Sequence, residues 1–143
     1  MRSVNPYLNF NGTTEEAFAF YRSIFGGEYS GIMRYKEMPD AERIPEGERE
    51  KIAHISLPIG KFNLMGSDVL GSMGQKVEQG NGMYIMLVPD SEEEAHRLFD
   101  QLSYGGGMVE MELQKMFWGD LYGSLVDKFG VRWMIDHDYK RQE

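Results

Sequence analysis

The sequence predicts an α+β fold built from two tandem β-α-β-β-β modules. Three observations lead to this prediction: one pattern occurs twice, each copy carries a helix with a single apolar stripe, and each copy ends in an alternating hairpin. The copies begin with YLNFNGTTEEAFAFYRSIFGGE, from Tyr7 to Glu28, and YIMLVPDSEEEAHRLFDQLSYGGG, from Tyr84 to Gly107. We therefore place module one at about residues 1–70 and module two at about residues 80–143.

Each copy starts with a short apolar strand that leads through a polar turn into a helix. Thr14 and Ser91 are predicted helix N-caps, because a hydroxyl oxygen accepts a hydrogen bond from a free N–H of the first helical turn. Glycines then end each helix. The two apolar stripes have the same offsets and lie 78 positions apart, at Ala17, Phe20, Tyr21 and Ile24, and at Ala95, Leu98, Phe99 and Leu102.

Three strands complete each module. The first is predicted from Glu28 to Met38 in module one and from Gly107 to Met116 in module two, because both segments alternate. Two hairpins follow, and they turn at Gly60-Lys61 and around Phe129-Gly130. The segment from Glu37 to Lys51 is charged and has no period, so we predict a long polar loop, with a mobile lid over a site as the alternative.

Composition excludes several classes of protein. The 143 residues suit one globular domain, since 41% are hydrophobic and 27% are charged. The net charge of −8 opposes binding to nucleic-acid phosphates, so we expect no nucleic-acid partner. The absence of cysteine excludes disulfides and thiol chemistry. No stretch approaches the ~18 apolar residues of a membrane span or forms a signal peptide, so we expect a cytoplasmic protein with no membrane partner.

Three segments resemble one protein family. PYLNFNGTTEEAFAFYRSIFGGE, HISLPIG and FWGDLYGSLVDKFGVRW are similar to the PhnB-like branch of the vicinal oxygen chelate superfamily, which includes glyoxalase I, extradiol dioxygenases, fosfomycin-resistance enzymes and bleomycin-resistance proteins. The resemblance implies the glyoxalase/bleomycin-resistance fold, in which mixed sheets curl into a cup with the helices outside. It also implies a homodimer.

The PhnB-like branch often carries the label 3-demethylubiquinone-9 3-methyltransferase. A typical methyltransferase that uses S-adenosylmethionine has a glycine-rich loop between a strand and a helix. Here the strand-to-helix turns read NGTT and PDSE, and the glycine clusters follow the helices, where a left-handed residue is needed. We therefore do not expect methyl transfer.

The resemblance also implies four places for metal ligands. Well-studied members of the superfamily hold a divalent metal with His, Glu or Gln from the first and last strands of each module. Counting along the strands places these positions at Pro6, Leu64, Tyr84 and Met134, and a shift of one residue supplies no carboxylate and imidazole set either. Proline and leucine offer no side-chain ligand, and neither methionine nor a neutral tyrosine is a favoured ligand of a hard cation. We predict no metal site of the usual kind and no cofactor.

Strand alternation selects the candidate catalytic residues, His54 and Asp136. The residues Ala53, Ile55, Leu57 and Ile59 are predicted to face the helix, which leaves His54 and Ser56 for the cup. Asp136 shares a face with Arg132, opposite Trp133 and Ile135. A neutral imidazole and a carboxylate in one cavity form a base and its orienting partner, whereas the plainer interpretation of His54 is a hydrogen-bonded histidine at a sheet surface.

The remaining candidates are ligand contacts. We predict that the ligand touches Tyr7, Asn9, Ser56, Tyr84, Met86, Trp118, Tyr122 and Arg132. Eleven methionines suit either an adaptable apolar cup or ordinary core filling, and core filling is favoured for most. His96 is predicted to be a surface residue, His137 to lie in a frayed, charged end, and Asp127 to form a turn.

These observations lead to one predicted function and two alternatives. The predicted function is binding of a small, partly apolar organic molecule in the cup without the usual metal, as bleomycin-resistance proteins do by resemblance. The first alternative is a lyase, isomerase or dioxygenase that uses a displaced metal or His54 as its base. The second is a structural dimer that binds no ligand and has a filled cup.

Overall fold

The computed structural model describes residues 1–139. Within that range the predicted order of elements is confirmed. Module one consists of β1 Tyr7–Phe10, α1 Thr14–Phe25, β2 Gly31–Arg34, β3 Ile52–Ile59 and β4 Phe62–Asp68. Module two consists of β5 Ile85–Leu87, α2 Glu92–Ser103, β6 Met108–Lys115, β7 Leu121–Val126 and β8 Arg132–His137. The chain divides into two compact units, Met1–Glu78 and a second that starts at Gln79.

Each module forms one mixed sheet of four strands. The strand order is β1-β4-β3-β2 in module one and β5-β8-β7-β6 in module two. The first strand of each module runs parallel to the last, and the other neighbours are antiparallel. This parallel pairing requires the crossover that the helix supplies. Each helix packs on one face of its own sheet, and we call the opposite face of that sheet its open face.

The helix stripes are confirmed in module two and partly corrected in module one. Ala95, Leu98, Phe99 and Leu102 are all buried, as predicted. In α1 the buried residues include Phe18 rather than Phe20, which is only half-buried. The Phe18 ring lies over Gly66 on β4, where an added Cβ would come within 2.7 Å of Phe18 Cε1. Because Gly66 has no side chain, the Phe18 ring can pack against β4 in the core.

The beginning of α1 is capped from a distant strand, so the predicted N-cap at Thr14 is wrong. Thr14 is the first helical residue, and Thr13 before it makes no capping bond with its side chain. Instead, Asp68 Oδ1 accepts hydrogen bonds from Thr14 N at 3.0 Å and from Thr14 Oγ1 at 2.7 Å. Asp68 Oδ2 accepts from Ile52 N at 2.9 Å, so one buried carboxylate ties α1 to both β3 and β4.

The beginning of α2 follows the local rule. Ser91 is the N-cap, and its side chain accepts a hydrogen bond from Glu94 N at 3.0 Å, as predicted. The glycine stops are also confirmed, because Gly26, Gly27, Gly105 and Gly106 all have positive φ. Glycine occupies this left-handed region without the steric penalty that a Cβ brings.

The side-chain alternation predicted for β3 is wrong before His54, because β3 has a bulge there. Met33 pairs with His54 and Arg34 with Ile52, so β3 contains one residue more than β2 at this point. Ile52 is consequently buried in the core and Ala53 is only half-buried. From His54 onward the alternation holds, since Ile55 and Leu57 are fully buried.

Both hairpin turns are confirmed. Gly60 and Lys61 join β3 to β4, and Gly130 with a positive φ lies in the turn between β7 and β8. Asp127 is the turn-former that the sequence predicts, because its Oδ1 accepts from Phe129 N at 2.8 Å and Val131 N at 3.1 Å. Its Oδ2 also accepts from Trp133 Nε1 at 2.9 Å, which connects the turn to the core.

The polar loop between β2 and β3 is built from single turns. Its two ends are joined through the backbone, since Lys36 N donates to Arg49 O at 2.9 Å, and the Arg49 side chain donates from Nε to Ile44 O at 2.9 Å. A lid function for this loop stays a prediction. The turns are short 3-10 helices at Tyr35–Glu37, Ala41–Arg43 and Glu46–Glu48.

None of the helices in residues 1–139 has the length and apolar character needed to cross a membrane.

Candidate functional site

The strand registers place all the predicted strand candidates of module one on its open face. Tyr7 pairs with Met65, Asn9 with Ser67 and Ser56 with Met65, and these residues alternate with the core residues of the same strands. His54 lies two residues before Ser56 and therefore shares this face. The set is Tyr7, Asn9, His54 and Ser56, joined by Met33, Met65 and Ser67.

Tyr7 and His54 form a pair on this face. The Tyr7 hydroxyl oxygen lies 3.3 Å from His54 Nδ1, and the ring centroids are 5.8 Å apart. Asn9 Oδ1 accepts a hydrogen bond from Ser67 Oγ at 3.1 Å. His54 therefore has a hydrogen-bond partner within its own module. Its pairing with Asp136 of module two stays a prediction.

The strand candidates of module two also share one open face. Met86 pairs with Met134 and Tyr122 with Asp136, opposite the fully buried Trp133 and Ile135. At one end of this face Arg132 Nη1 lies 2.6 Å from Glu110 Oε2, and Tyr84 donates its hydroxyl to Glu110 Oε1 at 2.8 Å. Arg132 Nε also donates to Gly80 O at 3.0 Å, so the guanidinium is held in place.

A second group lies at the other end of the open face of module two. Trp118 meets Tyr122 edge-on with the ring centroids 6.2 Å apart, and Trp118 is 47% exposed. Asp120 lies two residues before Tyr122 and its carboxyl interacts with that of Asp136. Asp136 Oδ1 is buried and has no hydrogen-bond donor among residues 1–139.

The electrostatics of this group follow from burial and like charge. Burial first, and then the Asp120 carboxyl and the charge of Asp138, raise the pKa of Asp136 to about 6, against a smaller opposing contribution from His137. Burial is also the largest cause of the raised pKa of Tyr122, followed by Tyr84, Asp136 and Glu110. Asp136 therefore changes charge at a higher pH than an ordinary aspartate, whose pKa is about 3.9.

The positions implied for metal ligands need correction by one residue in module one. Leu64 is buried on the helix side, and Tyr7 and Met65 form the pair on the open face of β1 and β4. In module two the implied position at Tyr84 lies just before β5, and the residues that pair on the open face of β5 and β8 are Met86 and Met134. A phenol and three thioethers do not fit a hard divalent cation. Within residues 1–139 no three His, Asp or Glu side chains come together as a metal site.

The interpretation of the methionines as core filling is wrong. No methionine occurs among the buried core residues of the described part of the chain. Met86 and Met108 are 54% and 58% exposed, while Met65 and Met134 are half-buried on the open faces. Met83 and Met116 lie just outside the strands. Exposed thioethers are adaptable apolar surface rather than packing.

Two residues of the open face of module two were missed by the sequence analysis. Glu110 was missed because β6 changes register between Val109 and Met111, which defeats alternation. Asp120 carried a usable signal, since it lies two residues before Tyr122 and the two therefore share a strand face.

The two remaining histidines lie in different surroundings. His96 is exposed, with its ring nitrogen 3.9 Å from Glu92, as predicted for a surface residue. His137 is not in a frayed end, because it is buried in β8 and its Nδ1 lies 3.0 Å from the Pro89 carbonyl oxygen.

Comparison with known proteins gives consistent matches over almost the whole chain. The family model described as 3-demethylubiquinone-9 3-methyltransferase matches residues 2–136. Protein YjdN of Escherichia coli (strain K12) is 34% identical over 141 residues, covering 93% of each chain. Protein PA1353 of Pseudomonas aeruginosa is 37% identical, with a TM-score of 0.83 over 95% of this chain and 97% of that one.

Two further structures extend the match. A PhnB protein from Bacillus cereus is 26% identical, with a TM-score of 0.78 over 95% of this chain and 99% of that one. A glyoxalase/bleomycin resistance protein from Albidiferax ferrireducens T118 is only 14% identical, with a TM-score of 0.60 over 95% of this chain and 99% of that one. The last match shows the fold alone.

Proposed function

Because the chain belongs to the PhnB-like 3-demethylubiquinone-9 3-methyltransferase family and has the glyoxalase/bleomycin-resistance fold, we propose that it binds a small, partly apolar organic molecule on the open faces of its sheets without the usual metal. One observation carries the proposal. The paired open-face positions of the first and last strands hold Tyr7 and Met65 in module one and Met86 and Met134 in module two, and these side chains form apolar surface rather than a set of metal ligands.

The exposure of this surface supports a ligand. Methionine and aromatic side chains stand on the open faces while the helix faces are closely packed. Exposed apolar groups with a few polar groups between them are typical of binding sites. The polar groups are the Tyr7–His54 pair in module one and the Arg132–Glu110 pair in module two.

Methyl transfer, which the family description names, finds no support in the turns of this chain. The β1–α1 turn contains Gly12 alone, and the β5–α2 turn contains no glycine. The glycine pairs lie at the helix ends with positive φ. Those glycines serve backbone geometry rather than a nucleotide-binding loop.

The metal-free part of the proposal is tested by elemental analysis of protein purified without chelator. We expect less than a tenth of an equivalent of any divalent metal. One tightly held ion per subunit would contradict the metal-free proposal and favour the alternative, a lyase, isomerase or dioxygenase with a displaced metal. Gel filtration of the same sample tests the homodimer, which is also a proposal.

Ligand binding is tested with the apolar dye 1-anilinonaphthalene-8-sulfonate. We expect dye binding that quenches the fluorescence of the exposed Trp118, and about a fivefold loss of affinity in Met86→Gln, which removes apolar contact area. Met73→Gln is the matched control, because Met73 is exposed in the loop after β4. Equal affinity of both variants and the wild type would contradict binding at the open face.

A further inference from the structure

The contact between Tyr7 and His54 indicates which nitrogen of the His54 ring carries the proton. β4 lies between β1 and β3, so the Tyr7 side chain reaches across β4 to the imidazole. The contact joins the hydroxyl oxygen to Nδ1 at 3.3 Å. Within residues 1–139 this is the hydrogen bond that the His54 ring makes, and the side chain is partly exposed. Nε2 is therefore the ring nitrogen left for a ligand.

The direction of the Tyr7–His54 hydrogen bond decides what Nε2 presents. A phenol is both donor and acceptor, and a neutral imidazole has one protonated and one unprotonated nitrogen. A phenol O–H to a basic ring nitrogen is a stronger bond than an imidazole N–H to a phenol oxygen, because it joins the more acidic donor to the more basic acceptor. Tyr7 therefore donates, Nδ1 accepts, and the proton of the ring is on Nε2.

The strand positions around His54 on the open face of module one carry no charged side chain. The open-face positions of β1 to β4 hold tyrosine, asparagine, glycine, methionine, serine and proline besides His54. An ionic ligand group would meet no opposite charge at these positions. A neutral group that accepts a hydrogen bond fits them, and a carbonyl oxygen is the simplest example.

We propose that Tyr7 holds His54 in its Nε2–H form and that this N–H is a hydrogen-bond donor to a neutral acceptor oxygen of the ligand, such as a ketone or ester carbonyl. The inference rests on the proposed function and names the ligand chemistry of module one. In this form Nε2 carries no free electron pair, so His54 selects the ligand as a donor and does not act as a base through Nε2.

The tautomer is tested by long-range ¹⁵N–¹H NMR of the ¹⁵N-labelled protein at pH 8, above the ordinary histidine pKa of about 6.5. His54→Gln identifies the His54 signals. His137 provides an internal reference for the opposite tautomer, because the Pro89 carbonyl can only accept and His137 Nδ1 must be protonated. We expect the Nε2–H pattern for His54 and the Nδ1–H pattern for His137.

Removal of the hydroxyl tests the role of Tyr7. In Tyr7→Phe we expect the His54 signals to move toward a mixture of both tautomers. Tyr104→Phe is the control, because Tyr104 is highly exposed after α2 and should leave His54 unchanged. A wild-type His54 in the Nδ1–H form, or an identical pattern in Tyr7→Phe, would overturn the inference.

The ligand half is tested with acetophenone and ethylbenzene, which differ by a carbonyl in place of a methylene. We expect acetophenone to bind with about fivefold higher affinity than ethylbenzene, the effect of one neutral hydrogen bond, when binding is followed by the signals of the open-face methionines. His54→Phe has no hydrogen-bond donor in its side chain and should remove the difference. Equal affinities would overturn this inference while the proposed function stands. No shift of any open-face methionine with either probe would overturn the proposed function itself, and with it the ligand half.

Discussion

The two modules share one chain pattern, but they differ in how they hold their helices and in what their open faces carry. In module one, Asp68 on the last strand caps the helix, while in module two Ser91 does so locally. The open face of module one is uncharged around His54, and that of module two carries Arg132, Glu110 and Asp136. A repeated hydrophobic pattern therefore preserves the fold while leaving the exposed strand positions to take on separate chemistry.

The largest expected effect tests the difference in helix capping. Asp68→Ala leaves two backbone N–H groups and the Thr14 hydroxyl without their acceptor inside the core, so we expect a loss of about 3 to 4 kcal/mol in the free energy of unfolding. Ser91→Ala in module two should cost only about 1 kcal/mol. Urea unfolding followed by circular dichroism measures both. Equal losses would show that the two caps contribute alike and that the comparison is wrong.

The second-largest expected effect is a loss of stability by overpacking, and it should occur in both modules. In each module a strand glycine lies beneath a helix phenylalanine: an added Cβ at Gly66 would lie 2.7 Å from Phe18, and one at Gly123 would lie 2.8 Å from Phe99. We expect Gly66→Ala and Gly123→Ala to lose about 2 to 3 kcal/mol each by overpacking.

The matched control for both glycines is Gly71→Ala, where an added Cβ would meet nothing within 4 Å. Its expected change is below about 0.5 kcal/mol. Thermal unfolding of the three variants side by side checks the prediction. A Gly66→Ala protein as stable as Gly71→Ala would contradict the close approach of helix and strand in module one.

The charged open face of module two predicts a pH-dependent effect. The folded pKa of Asp136 is raised to about 6, while an unfolded aspartate titrates near 3.9. The folded state thus binds the proton more tightly, and the wild type loses stability as pH rises from about 4 to above 6. Asp136→Asn cannot ionise, so it should gain about 1 kcal/mol over the wild type at pH 8 and almost nothing at pH 4, after allowance for partial solvation.

Urea unfolding at both pH values measures this difference. Asp100→Asn is the control for the same substitution on the surface, because Asp100 lies on the exposed side of α2, and the gain of Asp136→Asn is measured relative to it at each pH. A gain for Asp136→Asn that is the same at both pH values would argue against a carboxyl pair in module two.

The smallest effect compares two tyrosines. Tyr84→Phe loses a 2.8 Å hydrogen bond to the Glu110 carboxylate, whereas Tyr7→Phe loses a 3.3 Å contact with a neutral ring. We expect about 1 kcal/mol for Tyr84→Phe and less than about 0.5 kcal/mol for Tyr7→Phe. Chemical denaturation in low salt and in 1 M NaCl checks this, since only the loss in module two should shrink with salt. The reverse order would contradict the contrast between a neutral and a charged open face.

The parts of the site that were predicted from the sequence are those that depend on strand alternation. His54, Ser56, Tyr122 and Asp136 share open faces with their predicted neighbours, because a regular strand alternates its side chains. Glu110 was missed because two register shifts interrupt β6. Ala53 was placed on the wrong side for the same reason, since a bulge in β3 brings Ile52 into the core instead.

The sequence by itself determined what local periodicity and turn chemistry control: the two β-α-β-β-β modules, the apolar stripe of α2, the Ser91 cap, the glycine helix ends and the Asp127 turn. Only the tertiary structure decided the features that depend on residues far apart in the chain. Asp68 accepts a hydrogen bond from Thr14, which is 54 positions away in the chain. Phe18 packs against Gly66, and Tyr7 contacts His54 across an intervening strand. Such contacts arise when a strand pairs with distant partners, and no short-range pattern encodes which partners those are.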